Sequence, residues 1–364
     1  MRLEELDFKL PAQAISQRPA SPRDSCRLMH LPAGAGFQHL IFTDLPRLLR
    51  AGDMLVFNNS KVLPARLMAH RRGGGETEVL FLRPIPADPS SPSECWEALV
   101  RPSKRLQPGS ELQLADGARL SAVQDLGEGR WSISAPAHVS MVDLMEANGR
   151  LPLPPYIKSY PEDPSAYQTV YASVPGSAAA PTAGLHFTPG LLSELGRRGI
   201  HAAYVTLHVG LDTFLPIRET EVERHRIHTE AYEVAPETLA KIQAARRVGG
   251  RVVAVGTTTT RVLETIAGQG PPAVAPLAPI RGTSSIYITP GYEFRGVDLL
   301  LTNFHLPRST VLALTMAFAG VQRLRRAYAE AMTLGYRFFT FGDAMLIDRP
   351  TAHACVGRSS YATS

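Results

Sequence analysis

A chain of 364 residues that is 44% hydrophobic and 20% charged can bury a sizeable core, enough for two domains, and is too apolar to be disordered. The longest apolar run, 311–321, is too short to span a bilayer and is broken by Thr315 and Gly320, while residues 1–8 are too acidic and polar for a secretory signal peptide. A cytoplasmic protein without membrane contact is the expectation.

Three scattered cysteines, Cys26, Cys95 and Cys355, with no C-x-x-C pair, indicate neither a disulfide scaffold nor a thiolate metal site. A net charge of +5 with a pI near 9.2 suits a polyanionic partner such as RNA. Only five of the 38 basic residues are lysine, a bias that genome composition also produces.

In chain order, Asp44 is placed to N-cap a short helix over 45–50, and Gly52-Asp53 turns into a buried strand over 54–57. That strand is tipped by Asn58, Asn59, Ser60 and Lys61, which are either ligand-facing groups at a strand carboxyl end or simple turn formers. From about residue 62 the texture changes to short strands, predicted at 77–83, 95–100, 111–114, 120–124 and 130–134. Between them stand Pro108-Gly109, Asp116-Gly117 and Gly127-Glu-Gly129, the pattern of a small antiparallel barrel or sandwich. Ser140-x-x-Asp143 caps a short helix, and a proline-rich return over 151–157 leads out.

The second half alternates helices and strands. Thr188, Pro189 and the apolar Leu191, Leu192 and Leu195 have the grammar of a capped helix closed by Gly199. In the strand that follows, Val205, Leu207 and Val209 face one way and Tyr204, Thr206 and His208 the other. His186 sits just before the capped helix. A helix from Pro236, a buried strand over 251–255, a Gly256–Thr260 loop and a helix over 261–267 come next, a strand–loop–helix cradle suited to an anion. A strand over 297–301 ends in Thr302-Asn-Phe-His-Leu-Pro307, and Ser309 caps the helix after it.

Polar groups thus follow four apolar strands: Asn58–Lys61, Thr206–His208, Gly256–Arg261 and Asn303–His305. His225-x-x-His228-x-Glu230 offers metal-ligand residue types, but its i,i+3 spacing is not that of a helical zinc pair, and no metal is expected. The absence of G-x-S-x-G argues against a serine hydrolase. A non-catalytic RNA-binding module and a metal-dependent hydrolase stay open as alternatives.

Several long runs carry a resemblance. They are Arg23-Asp-Ser-Cys-Arg-Leu28, Ala180-Pro-Thr-Ala-Gly-Leu-His-Phe-Thr188, Thr206-Leu-His-Val-Gly210, Val255-Gly-Thr-Thr-Thr-Thr-Arg261, Pro290-Gly-Tyr292, Leu301-Thr-Asn-Phe-His-Leu-Pro307 and 336–347. Through them nearly the whole chain resembles the tRNA ribosyltransferase-isomerases of queuosine biosynthesis. Where that family usually shows Asn-Asp-Thr-Arg-Val, this chain has Asn58-Asn59-Ser60-Lys61-Val62, and Asp212 stands where the family tends to have Gly.

The resemblance implies an α/β main domain over 1–61 and 152–348, interrupted by a small all-β, barrel-like domain over 62–151. A disordered tail is expected over 349–364. It implies transfer and isomerisation of the ribosyl unit of S-adenosylmethionine onto 7-aminomethyl-7-deazaguanine in tRNA, with adenine and methionine released. S-adenosylmethionine is then consumed as a substrate, no other cofactor is needed, and a monomer is expected.

The implied catalytic residues are His186, His208, His228 and His305, since an imidazole titrates near the operating pH. The implied substrate-binding set is Arg23, Asp24, Arg27, Asn58, Lys61, Tyr156, Thr182, Phe187, Thr188, Thr206, Thr213, Phe214, Glu230, Thr257, Thr258, Arg261, Asn303 and Asp343. Tyr156, Phe187, Phe214 and Tyr292 are the aromatic faces that could hold a sulfonium. Arg66, Arg71, Arg72, Arg101, Lys104 and Arg105, in or beside the insert, are expected to meet tRNA phosphates.

Overall fold

The computed structural model describes residues 1–72, 74–85, 93–210, 216–227, 229–270 and 277–350. The tail expected to be disordered lies, from residue 351 on, outside them. Among the described residues seventeen strands run in chain order as β1 (Arg27–Leu31), β2 (Gln38–Ile41), β3 (Met54–Asn58), β4 (Ser60–Val62), β5 (Arg66–Arg71), β6 (Glu76–Pro84), β7 (Cys95–Arg101), β8 (Glu111–Gln113) and β9 (Arg119–Gly127). They continue as β10 (Arg130–Ser134), β11 (Val174–Ser177), β12 (His201–Leu207), β13 (Glu230–Val234), β14 (Val252–Val255), β15 (Ile280–Ser284), β16 (Leu299–Asn303) and β17 (Ala344–Asp348). The helices are α1 (Leu45–Leu48), α2 (Met141–Asn148), α3 (Pro189–Arg197), α4 (Pro236–Arg247), α5 (Thr257–Gly268), α6 (Thr310–Ala319) and α7 (Val321–Thr333).

The chain divides into two compact units. The first holds Met1–Asn59, Pro181–Leu207 and the described part of 213–364; the second holds Ser60–Ala180 and the described part of 208–212. No described helix is long and apolar enough to cross a membrane.

The first unit is built on a nine-stranded mixed sheet, β15-β13-β12-β3-β14-β16-β17-β1-β2. At its centre β12, β3, β14 and β16 are mutually parallel, so their carboxyl ends share one edge. Every residue of β3, β14 and β16 is buried, as expected of parallel strands covered on both faces. β17 runs antiparallel to β16 with Ala344 beside Asn303, and β1 is parallel to β17 with Leu28 beside Ala344. The amino ends of β17 and β1 therefore lie along that same edge.

Local chemistry sets the element starts. The Thr188, Ser140 and Ser309 hydroxyls accept from the N–H groups of Leu191, Asp143 and Leu312 at 3.2, 3.4 and 3.2 Å, so all three expected caps are present. Asp44 behaves differently. Its carboxylate accepts from Ile41 N–H at 3.2 Å and closes the turn before α1 rather than capping it. The expected Gly256–Thr260 loop is also corrected. Only Gly256, at φ +92°, is non-helical, and the threonines form the first turn of α5.

In the second unit β10-β7-β6-β5-β8-β9 close into a barrel. The expected strands are there with slightly shifted ends, and β5 joins them. Alternation sends Leu67, Phe81, Trp96, Val100, Trp131 and Ile133 inward, and α2 adds Met141, Leu144 and Met145 to the same core. Closure removes the edges that a small sheet would otherwise expose.

At the amino end of the central strands Asp53 is fully buried. It accepts from the Arg50 and Arg251 N–H groups, both at 3.0 Å, and from the Arg251 guanidinium at 2.6 Å. Burial alone would raise its pKa, but the Arg251 guanidinium and those N–H groups outweigh burial and hold the carboxyl below its ordinary value. Asp53→Ala would leave Arg251 part-buried without this partner. The first unit should lose about 3 kcal/mol or more in a urea titration; a loss below about 1 kcal/mol, typical of a surface pair, would contradict the assignment.

Candidate active site

The carboxyl edge of the four parallel strands gathers the polar strand ends of the first unit. Asn58, fully buried at the end of β3, donates through Nδ2 to the Leu207 carbonyl at 2.9 Å and accepts the Leu207 N–H through Oδ1 at 3.1 Å. Its side chain thus continues the β3–β12 pairing past the last strand residue. Asn58, expected to bind substrate, makes both of these amide bonds to backbone. Asn59 follows, and its Oδ1 accepts from the Thr206 hydroxyl at 2.7 Å.

A second group lies where β16, β17 and β1 meet. His186 is buried in the turn before α3, its ring 5.1 Å from that of Phe42. Asn303 Nδ2 donates to the Phe339 carbonyl at 2.9 Å and reaches His186 Nε2 at 3.2 Å. With Nε2 accepting, the imidazole proton belongs on Nδ1, which faces Cys26 Sγ at 3.2 Å. The Asn303 Oδ1 atom is buried and makes no hydrogen bond among the described residues. Burial pushes the His186 pKa down to about 4, assisted by the Arg337 charge and opposed by Asp343. Burial pushes the Cys26 thiol up, so it is a neutral thiol and no nucleophile.

Asp343 is buried and accepts from the Arg27 and Arg337 N–H groups at 3.0 and 2.8 Å and from the Arg337 guanidinium at 3.2 Å. Asp24 accepts from the Thr188 hydroxyl at 2.6 Å, tying its loop to the start of α3. Arg23 is half-buried beside them, whereas the Arg27 guanidinium turns outward to the Leu334 carbonyl at 2.7 Å and over the Tyr336 ring. His305 is also buried, its Nε2 2.9 Å from the Thr302 hydroxyl, and burial lowers its pKa to about 3.

The third group surrounds the start of α5. Thr259 and Thr260 spend their hydroxyls on the carbonyls of Val255 and Gly256 at 2.8 and 3.0 Å. Gly256 offers no side-chain cap, so the first N–H groups of α5 have no side-chain acceptor at the N-cap. Thr257 and Thr258 border a cleft with Ile227, Tyr287, Ile288 and Leu314. Arg261 also borders it, ion-paired with buried Glu230 and donating to the Ser284 carbonyl at 3.0 Å.

The other expected residues are placed as follows. Phe187 cannot face a sulfonium, because it is fully buried and edge-packed on Phe42 and Phe57 at 5.1 and 4.9 Å. Thr182 is half-buried in the His186 turn. In the second unit Tyr156 is half-buried, and Lys61 reaches Glu146 at 3.4 Å. His208 lies one residue beyond β12, half-buried, against Gly176. A Cβ on Gly176, whose φ is +140°, would stand 2.6 Å from the His208 ring. Arg66 is paired with Glu78 at 3.0 Å; Arg72, Arg101, Lys104 and Arg105 are exposed, and Arg71 is half-buried. Glu230 pairs with Arg261 and His225 with Glu219 at 2.8 Å. Thr213, Phe214 and His228 lie outside the described residues. Arg337 was not singled out from sequence, and Cys26, Asn59 and Gly176 were not given these partners. Only the spacing of their motifs marked them, because their partners come from distant segments.

The two buried histidines give a pH test. In the unfolded chain both titrate near pH 6.5, whereas folded they stay neutral to about 4 and about 3. Their contribution is whole above pH 6.5 and is lost as pH falls, by up to about 1.4 kcal/mol per pH unit for each histidine. The thermal midpoint should drop between pH 7 and 4.5, and His305→Asn should show the shallower pH slope even if less stable at pH 7. Equal slopes for parent and variant would contradict neutral burial.

Comparison with known proteins bears on this geometry. Residues 3–347 match the family model described as "Queuosine biosynthesis protein". The S-adenosylmethionine:tRNA ribosyltransferase-isomerase of Rubrobacter xylanophilus is 51% identical, covering 95% of this chain and 98% of that one. Its namesake from Anaeromyxobacter dehalogenans is 47% identical, over 96% of this chain and all of that one. The crystal structure of S-adenosylmethionine tRNA ribosyltransferase from Thermotoga maritima aligns with a TM-score of 0.53 at 36% identity, covering 94% of this chain and 99% of that chain. The chain belongs to the queuosine biosynthesis family, together with the S-adenosylmethionine:tRNA ribosyltransferase-isomerases.

Proposed function

We propose that this enzyme transfers and isomerises the ribosyl unit of S-adenosylmethionine onto 7-aminomethyl-7-deazaguanine in tRNA, giving epoxyqueuosine-tRNA, adenine and methionine. Family membership over nearly the full length carries this reading. We assign catalysis to the module expected over 1–61 and 152–348 and RNA contact to the insert over 62–151. The protein is taken to act as a cytoplasmic monomer that needs no further cofactor.

The chemistry makes three demands. A base must take a proton from C5′, already acidified by the sulfonium. A donor must help adenine leave, and the aminomethyl group must lose a proton before it attacks. For binding, the start of α5 offers threonine hydroxyls, an N-terminus without a side-chain cap and a wall of Ile227, Tyr287, Ile288 and Leu314, around a cavity of about 20 Å³ that has to widen to admit the ligand. A helix N-terminus accommodates a carboxylate such as that of the methionyl group, and the wall suits the adenosyl part. Arg23, Asp24, Thr188 and Thr206 supply further polar contacts along the same edge.

Among the described histidines His208 suits proton transfer best. His186 and His305 are buried, hydrogen-bonded and held neutral, so they support the frame. His208 is only half-buried, and Gly176 leaves room for its ring. Incubation with S-adenosylmethionine and precursor-bearing tRNA should release one adenine per modified tRNA; no adenine would overturn the proposed reaction. His208→Ala should slow adenine release by about 10² to 10⁴ at saturating substrates, with the thermal midpoint little changed. Gly176→Ala should also slow release by displacing the ring. If His208→Ala stays within a few-fold of the parent, His208 is not the base.

A further inference from the structure

The barrel sorts its arginines into two classes. Arg66 pairs with Glu78 at 3.0 Å, Arg83 and Arg130 share Glu97 at 2.8 and 2.9 Å, and Arg119 meets Glu111 at a long 3.6 Å. Arg71, Arg72 and Arg105 have no ion pair among the described residues, and they line one groove with Gly74, Gly109, Ser110 and Glu111, whose carboxylate is the one that Arg119 meets. A second groove shares Arg71, Arg72 and Glu111 and continues to His70, Gln113 and Arg119. β5 pairs with β8 here, His70 beside Gln113 and Arg71 beside Leu112.

Backbone geometry holds the central arginine. Arg71 N–H donates to the Gly75 carbonyl at 3.2 Å, and Gly74 N–H returns a bond to the Arg71 carbonyl at 3.0 Å. A Cβ on Gly75, at φ +105°, would stand 2.8 Å from Arg71 Nη2, so glycine makes room for the guanidinium. The Arg71 Nε atom is buried and makes no hydrogen bond among the described residues.

Unspent guanidinium donors in a row match a row of phosphates, because the planar fork binds phosphate oxygens two at a time. A free phosphate ion would need one such site, not two joined grooves. No Phe, Tyr or Trp borders either groove, so bases have no stacking platform there. We propose that this strip is a sequence-independent site for an RNA backbone, with Arg71, Arg72 and Arg105 taking successive phosphates. Arg66, committed to Glu78, and Arg119, which meets Glu111, are left out of the set. The proposal rests on the proposed reaction only for the identity of the RNA as tRNA.

The test is fluorescence anisotropy of labelled tRNA over a range of KCl concentrations, with Arg72→Ala/Arg105→Ala beside the parent and Arg83→Ala as control. The double variant should bind at least about tenfold more weakly at 0.1 M salt, with a log–log salt slope shallower by between one and two. Arg83→Ala should keep the parent slope. An unrelated tRNA should compete at this site as well as the substrate tRNA, and polyglutamate should not. An unchanged slope in the double variant, an equal loss in Arg83→Ala, or effective competition by polyglutamate would each overturn the site. Adenine release, assayed in parallel, separates the two claims. An inactive parent refutes the reaction; an active parent whose double variant keeps its KM for tRNA refutes the groove alone.

Discussion

The amide of Asn58 is the bond on which the functional edge depends. A parallel strand pair normally frays where one strand turns away, yet here both amide atoms of a fully buried side chain take over from the backbone and hold Leu207. A buried amide left without partners costs about 1–3 kcal/mol per group, so the arrangement is held firmly or not at all. Its consequence is positional. Asn59 is brought to Thr206, and the end of β12 is fixed immediately before His208. Asp53 with Arg251 performs the matching task at the other end of β3, bonding the chain before β14. With both ends pinned, the carboxyl edge is a rigid base for side chains that must be placed to within a fraction of an ångström.

The polar residues on this edge divide by what their hydrogen bonds are spent on. Cys26, His186, Asn303, His305 and Asp343 lie in or under the sheet edge and bond mainly to protein. Burying neutral imidazoles forfeits their use in proton transfer near pH 7 but joins segments far apart in sequence, the 26, 186 and 303 regions among them. Thr257 and Thr258 show the opposite economy, since their neighbours Thr259 and Thr260 satisfy the helix carbonyls and leave them facing the cleft.

Much of this was legible in the sequence wherever the cause is local. The Thr188, Ser140 and Ser309 caps follow from a hydroxyl three residues ahead of an N–H, and the barrel strands from alternation between turn residues. The α5 start was misread because threonine is a poor helix former; the side-chain bonds from Thr259 and Thr260 to carbonyls four residues back compensate. The separation of His186 from His208 was out of reach, because burial is a tertiary property, and both histidines stand in equally polar motifs. Likewise Arg66 and Arg72 look alike until cross-strand pairing puts Glu78 against one and leaves the other without an ion pair among the described residues.

The proposed seat of S-adenosylmethionine at the start of α5 is tested most directly by titration calorimetry of that ligand against Thr257→Val/Thr258→Val. Two lost hydrogen bonds of about 0.5–1.5 kcal/mol each should weaken binding by about tenfold or more, with the thermal midpoint unchanged within a few degrees. An affinity equal to that of the parent would place the ligand elsewhere and contradict the assignment of this edge.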